Sequence, residues 1–320
     1  MNGPWDVWSD CTPDCAAHAL PRVTAPRVAR RGAAFARSVR RALTDGERMA
    51  DPVRLRAHAA SLLDALGVRV EGPAALTAGD GPGTLVVVNH ISWLDILALL
   101  AVEPVTLLAK REVGAWPVVG GLARRAGTHF IDRTSPRRLR HTVQEVSELL
   151  GSGRSVAVFP QATTWCTADR GGFRRATFQA ALDAGAPVRP VTLDYTQQGT
   201  PSTVAAFCGE DTFAASLRRV LAARALTVRV TAHPLLTTAD GCPDRRELAR
   251  RAARAVLGGR PEAGSVERPG AAAAVRRAGT PARAAPRPAA AVADSPAPGS
   301  PVPASGTAPD APAPPAPAHV

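Results

Sequence analysis

Leu85-Val86-Val87-Val88-Asn89-His90-Ile91-Ser92-Trp93-Leu94-Asp95 begins as a short apolar run and ends among side chains that carry chemistry. With Thr84 in front, the run reads as a fully buried strand of an α/β sheet, because both faces are apolar and the valines are β-branched. Such strands deliver functional groups at their C-terminal ends. Here the delivered group is His90. Asp95 follows five residues later, past one helical turn. A carboxylate that reaches one imidazole nitrogen fixes the tautomer and raises the basicity of the other, which is the base-and-orienter half of a catalytic triad. No nucleophilic Ser or Cys is needed when the attacking hydroxyl belongs to the substrate. The same spacing also occurs in purely structural His–Asp pairs.

Working outward, the pattern stays regular from about Asp51 to Gly258. Val105–Ala109, Thr128–Ile131, Ser155–Phe159 and Val188–Tyr195 repeat the short apolar run, and Leu226, Val228 and Val230 alternate with polar residues. Helices are expected between them. One spans Trp116–Ala126, and one opens at Ser135-Pro136 with Ser as cap and Pro at the first position. Others run near Arg174–Ala184, after Asp211 as cap, and from about Asp244 to Leu257. Strands alternating with helices predict an α/β fold whose largely parallel central sheet is flanked by helices.

The flanks differ in composition. Residues 1–50 form a variable N-terminal segment; its stretch from residue 22 to 43 holds Arg22, Arg27, Arg30, Arg31, Arg37, Arg40 and Arg41, with no acid until Asp45. Phe35, Val39 and Ala42 or Leu43 recur among them at helical spacing. This pattern fits a basic amphipathic helix on an anionic bilayer, or equally a solvated helix face. Residues 259–320 are rich in Ala and Pro and nearly devoid of large apolar side chains. Such a tail cannot bury enough surface to offset its ordering entropy and is expected to be disordered.

Charge by itself separates few classes. The chain of 320 residues carries a formal charge of +12, but its 39 basic residues include a single lysine, Lys110, and 38 arginines. That skew, with abundant Ala, Gly and Pro, reflects GC-rich coding as much as selected charge. A nucleic-acid partner is not expected, since the arginines lack the interleaved aromatics on which bases stack. No apolar stretch reaches the roughly 18 to 20 residues that span a bilayer. The opening MNGPWDVWSDC lacks the pattern of a signal peptide. Five cysteines are an odd number for a disulfide framework and read as reduced thiols. Cys11, Cys15 and His18 sit at i, i+4 and i+7, but a metal would need a fourth ligand, so no metal is expected there.

Four further blocks follow the His90–Asp95 stretch in order: Lys110-Arg111-Glu112 with Trp116-Pro117 and Gly120; Gly127-Thr128-His129-Phe130-Ile131-Asp132-Arg133; Phe159-Pro160-Gln161-Ala162-Thr163; and Val188-Arg189-Pro190-Val191. Together with Asn89-His90-(four residues)-Asp95 they resemble the glycerolipid acyltransferase family, over roughly Gly67 to Tyr195. The resemblance implies transfer of a fatty acyl group from acyl-CoA or acyl carrier protein to a lysophospholipid hydroxyl, in the first instance 1-acylglycerol 3-phosphate, giving phosphatidate. It implies His90 as general base and Asp95 as its orienter. Arg133 would hold the acceptor's phosphate, with Lys110 as an added point charge and Gln161 and Thr163 in the acceptor site. His129 matches no catalytic position and is read as structural. Two residues depart from the family's Phe-Pro-Glu-Gly-Thr block: Gln161 stands for a carboxylate and Ala162 for a glycine. These departures bear on the acceptor, and a lyso-aminolipid is the nearest alternative, followed by a non-catalytic lipid-binding relative. Cys166, in the same loop, has no base beside it and is not expected to form an acyl-enzyme. No cofactor is implied. The expected location is peripheral, on the cytoplasmic face of the cell membrane.

Overall fold

A computed structural model describes residues 7–16, 21–79, 81–116, 118–131, 136–237 and 244–258. The predicted N-cap Ser135, the expected phosphate ligand Arg133 and the tail from Pro261 onward lie outside the described residues. In chain order the strands are β1 (Val68–Glu71), β2 (Leu85–Val88), β3 (Thr106–Lys110), β4 (His129–Ile131), β5 (Val156–Val158), β6 (Val188–Gln197), β7 (Thr200–Pro201) and β8 (Leu226–Ala232). The helices are α1 (Ala25–Asp45), α2 (Pro52–Leu66), α3 (Leu94–Val102), α4 (Val119–Arg125), α5 (Pro136–Gly151), α6 (Ala176–Asp183), α7 (Phe213–Ala222) and α8 (Arg245–Gly258).

The sheet runs β1-β8-β6-β2-β5-β3-β4, with β7 paired to β6. Only the β6–β8 and β6–β7 pairs are antiparallel; every other pair is parallel. This is the largely parallel α/β sheet expected. β2 lies at its centre, between β5 and β6, and all four of its side chains are fully buried. Alternation along the strand sends them into two different cores. Val86 and Val88 join a core with α2, α3 and α7, whereas Leu85 and Val87 join one with α5, α6 and α8. Each buried Val or Leu contributes about 1.5–3 kcal/mol relative to exposure. The central strand is therefore fixed from both sides before it reaches His90.

Three local readings change. β1 and α2 were not expected as separate elements, because β1 has only four residues and α2 a weakly amphipathic sequence. The cap of α7 is Thr212, whose hydroxyl accepts from the Ala215 N–H at 3.2 Å. Asp211, predicted as the cap, instead pairs with Arg219 at 2.6 Å. The stretch after Lys110 first forms a 3-10 turn, Arg111–Ala115, onto which α4 folds back. Gly120 makes that return possible: a Cβ there would lie 2.1 Å from the Gly114 carbonyl oxygen.

The basic stretch is α1. Its apolar side faces the protein: Phe35 packs toward Trp93, and the Arg31 guanidinium donates to the carbonyls of Leu221 and Ala223 at 2.9 and 2.7 Å. Arg27, Arg30, Arg37, Arg40 and Arg41 are exposed. The helix thus offers arginines outward, while its apolar stripe is already covered. Among the described residues, no helix is long and apolar enough to cross a membrane.

Candidate active site

The site forms where β2 ends and α3 begins. Asn89, fully buried, locks the strand end to β6: its amide donates to the Leu193 carbonyl at 3.0 Å and accepts from the Leu193 N–H at 2.7 Å. This two-way bond holds the backbone just before His90. Asp95 lies in the first turn of α3, where the helix dipole favours a negative charge. Its carboxylate is fully buried and every approach to it is occupied. Oδ2 accepts from the Ile91 and Ser92 N–H groups at 2.7 and 2.9 Å and lies 2.8 Å from His90 Nδ1. Oδ1 accepts from the Tyr195 hydroxyl at 2.6 Å. A carboxylate at Nδ1 holds the proton there and leaves the Nε2 lone pair as the base.

Tyr195 was not singled out from the sequence as a site residue. It is the chain's one tyrosine and ends an apolar run, a signal that marks burial but not partner. Burial, and then the charge of Asp95, push its pKa well above the ordinary tyrosine value, so it stays a donor. It fixes the carboxylate from the side opposite His90.

His90 is held by its backbone and ring as well as by Asp95. The Gln161 Oε1 accepts its N–H at 2.5 Å, and its carbonyl accepts from the Trp165 N–H at 2.8 Å. Phe159 stacks on the imidazole with ring centroids 4.1 Å apart. The side chain keeps 21% of its surface exposed, so the ring is reachable from outside.

Gln161 was expected in the acceptor site. It lies instead beneath His90, 1% exposed, with one end of its amide on the His90 N–H and the other donating to the Arg170 carbonyl. Both ends of the amide are thus engaged within the protein. Ala162 has φ +61°, the left-handed region that favours glycine, and its N–H closes a turn onto the Phe159 carbonyl at 3.0 Å. A glycine, the residue of the resembling motif, would enter this turn without strain. Thr163 follows, half-buried, in the same loop. Lys110 is the exposed last residue of β3 and lies in register with Ile131 of β4, two residues before Arg133. His129 pairs with Glu145 at 2.9 Å.

The same loop carries an arrangement that sequence spacing did not show. The sulfurs of Cys11, Cys15 and Cys166 lie within 4.8 Å of one another. Burial, and then the neighbouring cysteine sulfurs, push the thiols of Cys166 and Cys208 up to about 12. Burial also acts to raise Cys11, but hydrogen bonds from its surroundings, including the Cys166 N–H and Arg170, outweigh it and bring Cys11 below the ordinary value.

With this geometry in place, a family model described as Acyltransferase matches residues 67–194, from the start of the sheet into β6. The chain belongs to the glycerolipid acyltransferase family. It is 39% identical over 148 residues to a 1-acyl-sn-glycerol-3-phosphate acyltransferase of Neisseria meningitidis, covering 46% of this chain and 58% of that protein. It is 40% identical over 170 residues to a lyso-ornithine lipid O-acyltransferase of Pseudomonas aeruginosa, covering 53% and 65%. The chain therefore spans less than two thirds of the length of either. The crystal structure of the 1-acyl-sn-glycerophosphate acyltransferase from Thermotoga maritima superposes with a TM-score of 0.50 at 20% identity, over 65% of this chain and 77% of that one. That likeness is one of fold. Family membership accounts for the order of the blocks; the hydrogen bonds of this chain show how they meet at His90.

Proposed function

We propose that this protein transfers a fatty acyl group from a thioester, acyl-CoA or acyl carrier protein, to the hydroxyl of a lysolipid, most directly 1-acylglycerol 3-phosphate to give phosphatidate. One observation carries the reading: a reachable imidazole whose Nδ1 is held by a buried carboxylate, in a chain of the acyltransferase family. His90 Nε2 takes the proton of the acceptor hydroxyl as its oxygen attacks the thioester carbonyl. The tetrahedral oxyanion then collapses, breaks the C–S bond and releases the thiol, to which the imidazolium returns the proton. Arg133 and Lys110 supply the positive charge that an acceptor phosphate needs. Thr163, in the loop that carries Gln161, is the remaining polar group proposed for the acceptor. The exposed arginines of α1 face anionic lipid and keep the enzyme at the membrane surface. This supports a peripheral location on the cytoplasmic face.

A lyso-aminolipid is the second acceptor, favoured by the similarity to the lyso-ornithine lipid enzyme. Purified protein offered both acceptors with each donor class separates the two by kcat/KM. His90→Ala is expected to lower acyl transfer by about 10²- to 10⁴-fold while the circular dichroism spectrum stays unchanged. Wild-type turnover in that folded variant would remove the proposed mechanism.

A further inference from the structure

Three chain segments that are remote in sequence meet in one patch of sulfur. Cys11 and Cys15 come from the segment before α1, Cys166 from the loop after β5, and Cys208 from the stretch before α7. The Sγ atoms of Cys11 and Cys166 are 3.4 Å apart, and with that of Cys15 they fit within 4.8 Å. Cys208, 1% exposed, lies outside this three-sulfur group but belongs to the same buried cluster as Cys11. The next residue explains how it comes near Cys11: Gly209, at φ +57°, packs where a Cβ would lie 3.0 Å from the Cys11 carbonyl oxygen. Thr203 binds the segment from the other side, donating to the Cys15 carbonyl at 2.5 Å.

We propose that Cys11, Cys15, Cys166 and Cys208 form a thiolate site for a zinc ion that ties the N-terminal segment and the 203–209 stretch to the loop behind His90. The chemistry of the donor set selects the metal. Thiolates favour zinc over hard cations. A zinc–sulfur distance of about 2.3 Å in a tetrahedron sets ligand sulfurs about 3.8 Å apart, the scale on which these three already sit. The surroundings of Cys11 are those a thiolate ligand needs. The Cys166 N–H donates to the Cys11 sulfur at 3.4 Å, and the Arg170 guanidinium lies 3.7 Å from the same sulfur. Arg170 is itself held by Asp10 at 3.1 Å. N–H donors to sulfur and a positive group beside it offset the charge that four thiolates leave on a divalent ion. Each ligand binds as thiolate and gives its proton to solvent. Cys15 and Cys166 are half-buried, which leaves an entry for the ion.

The site's place in the fold indicates what it does. Trp165, one residue before Cys166, donates to the His90 carbonyl at 2.8 Å; Phe207, one residue before Cys208, donates to the Ile91 carbonyl at 2.9 Å. The ion would therefore anchor both strands of backbone that grip the base. It takes no part in acyl transfer, and its existence does not depend on that reading.

The test uses the full chain purified under reductant in metal-free buffer. Elemental analysis is expected to find about one zinc per chain. Replacement by cobalt is expected to give a sulfur-to-cobalt charge-transfer band together with the visible bands of a tetrahedral ion. Removing zinc with a chelator should lower the thermal midpoint, and zinc should restore it. Cys11→Ser and Cys166→Ser should each weaken metal binding by about tenfold or more, and Cys208→Ser should reduce the charge-transfer intensity. If the serine variants fail to fold, the cobalt spectrum of the unaltered chain still decides. A folded, reduced wild-type chain that retains no zinc and gives no charge-transfer band with cobalt would overturn the proposal. A Cys11–Cys166 disulfide that forms without reductant, in a chain that takes up no metal once reduced, would overturn it too and identify the cluster as a redox pair.

Discussion

The two loops that meet at His90 are built in opposite ways. The loop after β2 satisfies its polar groups almost within itself: Asp95 takes the N–H groups of Ile91 and Ser92 and the ring of His90, all within five residues. The loop after β5 depends on distant chain. Gln161 reaches back to the His90 N–H, the Trp165 N–H reaches the His90 carbonyl, and Cys166 meets Cys11 across 155 residues. The first is a preformed hydrogen-bonded turn that holds the base, whereas the second is a cradle that comes together only when the whole molecule has folded. Substitutions in the first loop should therefore act on chemistry, and those in the second on stability and on the placement of His90.

The largest effect that sharpens this contrast is expected from Asp95→Asn. The amide can turn its NH2 toward Nδ1 and leave the proton on Nε2, where no base remains. Turnover should fall on the order of 10²- to 10⁴-fold, close to the loss in His90→Ala, with modest change in acceptor KM. A loss confined to KM would show that the pair binds rather than activates the acceptor.

Arg133→Ala comes next and tests the acceptor site. If the guanidinium grips the acceptor phosphate, apparent KM for the lysolipid should rise roughly ten- to a hundredfold, as loss of about 1.5–3 kcal/mol implies, while KM for the acyl donor stays level. An unchanged lysolipid KM with every acceptor tried would make the phosphate-clamp assignment wrong.

This difference between the loops also governs how much was legible in the sequence. The turn after β2 could be read because its logic is local: an apolar strand, then His and Asp five apart. The central strands were legible for the same reason, since Val86–Val88 and Val156–Val158 are apolar on both faces. What escaped were pairings between remote segments. Tyr195 shows only that it ends a buried strand, and nothing in its neighbourhood points to Asp95, 100 residues away. Cys11, Cys15 and His18 looked like a set lacking a fourth ligand, because Cys166 comes to the two cysteines only through the fold. Gln161 read as a ligand group because its block matched a substrate motif, while its burial depends on the Arg170 carbonyl that covers it. Asp211 and Thr212 are adjacent, and either side chain suits a helix cap; Arg219, one face of α7 away, takes the aspartate.

A smaller effect is expected from restoring the family's carboxylate with Gln161→Glu. The new side chain can still accept from the His90 N–H, but it has no donor for the Arg170 carbonyl, and its charge is buried. Stability at neutral pH should fall by about 1–3 kcal/mol in urea unfolding. Burial and the facing carbonyl raise the folded-state pKa of the introduced carboxyl above its unfolded value. The protonated form, which can donate, is therefore favoured in the folded state. The sign follows: the deficit should shrink as pH falls through that raised pKa and grow as pH rises. Should the substitution be neutral in stability yet change the preference between 1-acylglycerol 3-phosphate and a lyso-aminolipid, Gln161 would act on the head group and not through the cradle.

The smallest effect, and the finest division between the loops, is expected from Ala162→Gly. Ala162 holds φ +61° in the turn from Phe159, a conformation that costs an L-residue about 1–2 kcal/mol. Glycine removes that strain but gives the unfolded chain more freedom, worth about 0.4–1 kcal/mol in the other direction. The balance is a gain of roughly 0 to 1.6 kcal/mol, read as a small upward shift of the urea midpoint. Kinetics should barely move, because the turn is already closed with alanine in place and the Ala162 N–H already reaches the Phe159 carbonyl. If glycine instead lowered the acceptor KM with no change in the midpoint, the missing Cβ would matter to a ligand. The backbone at 162 would then belong to the substrate's surroundings, and the loop after β5 would share the chemical role assigned here to the loop after β2.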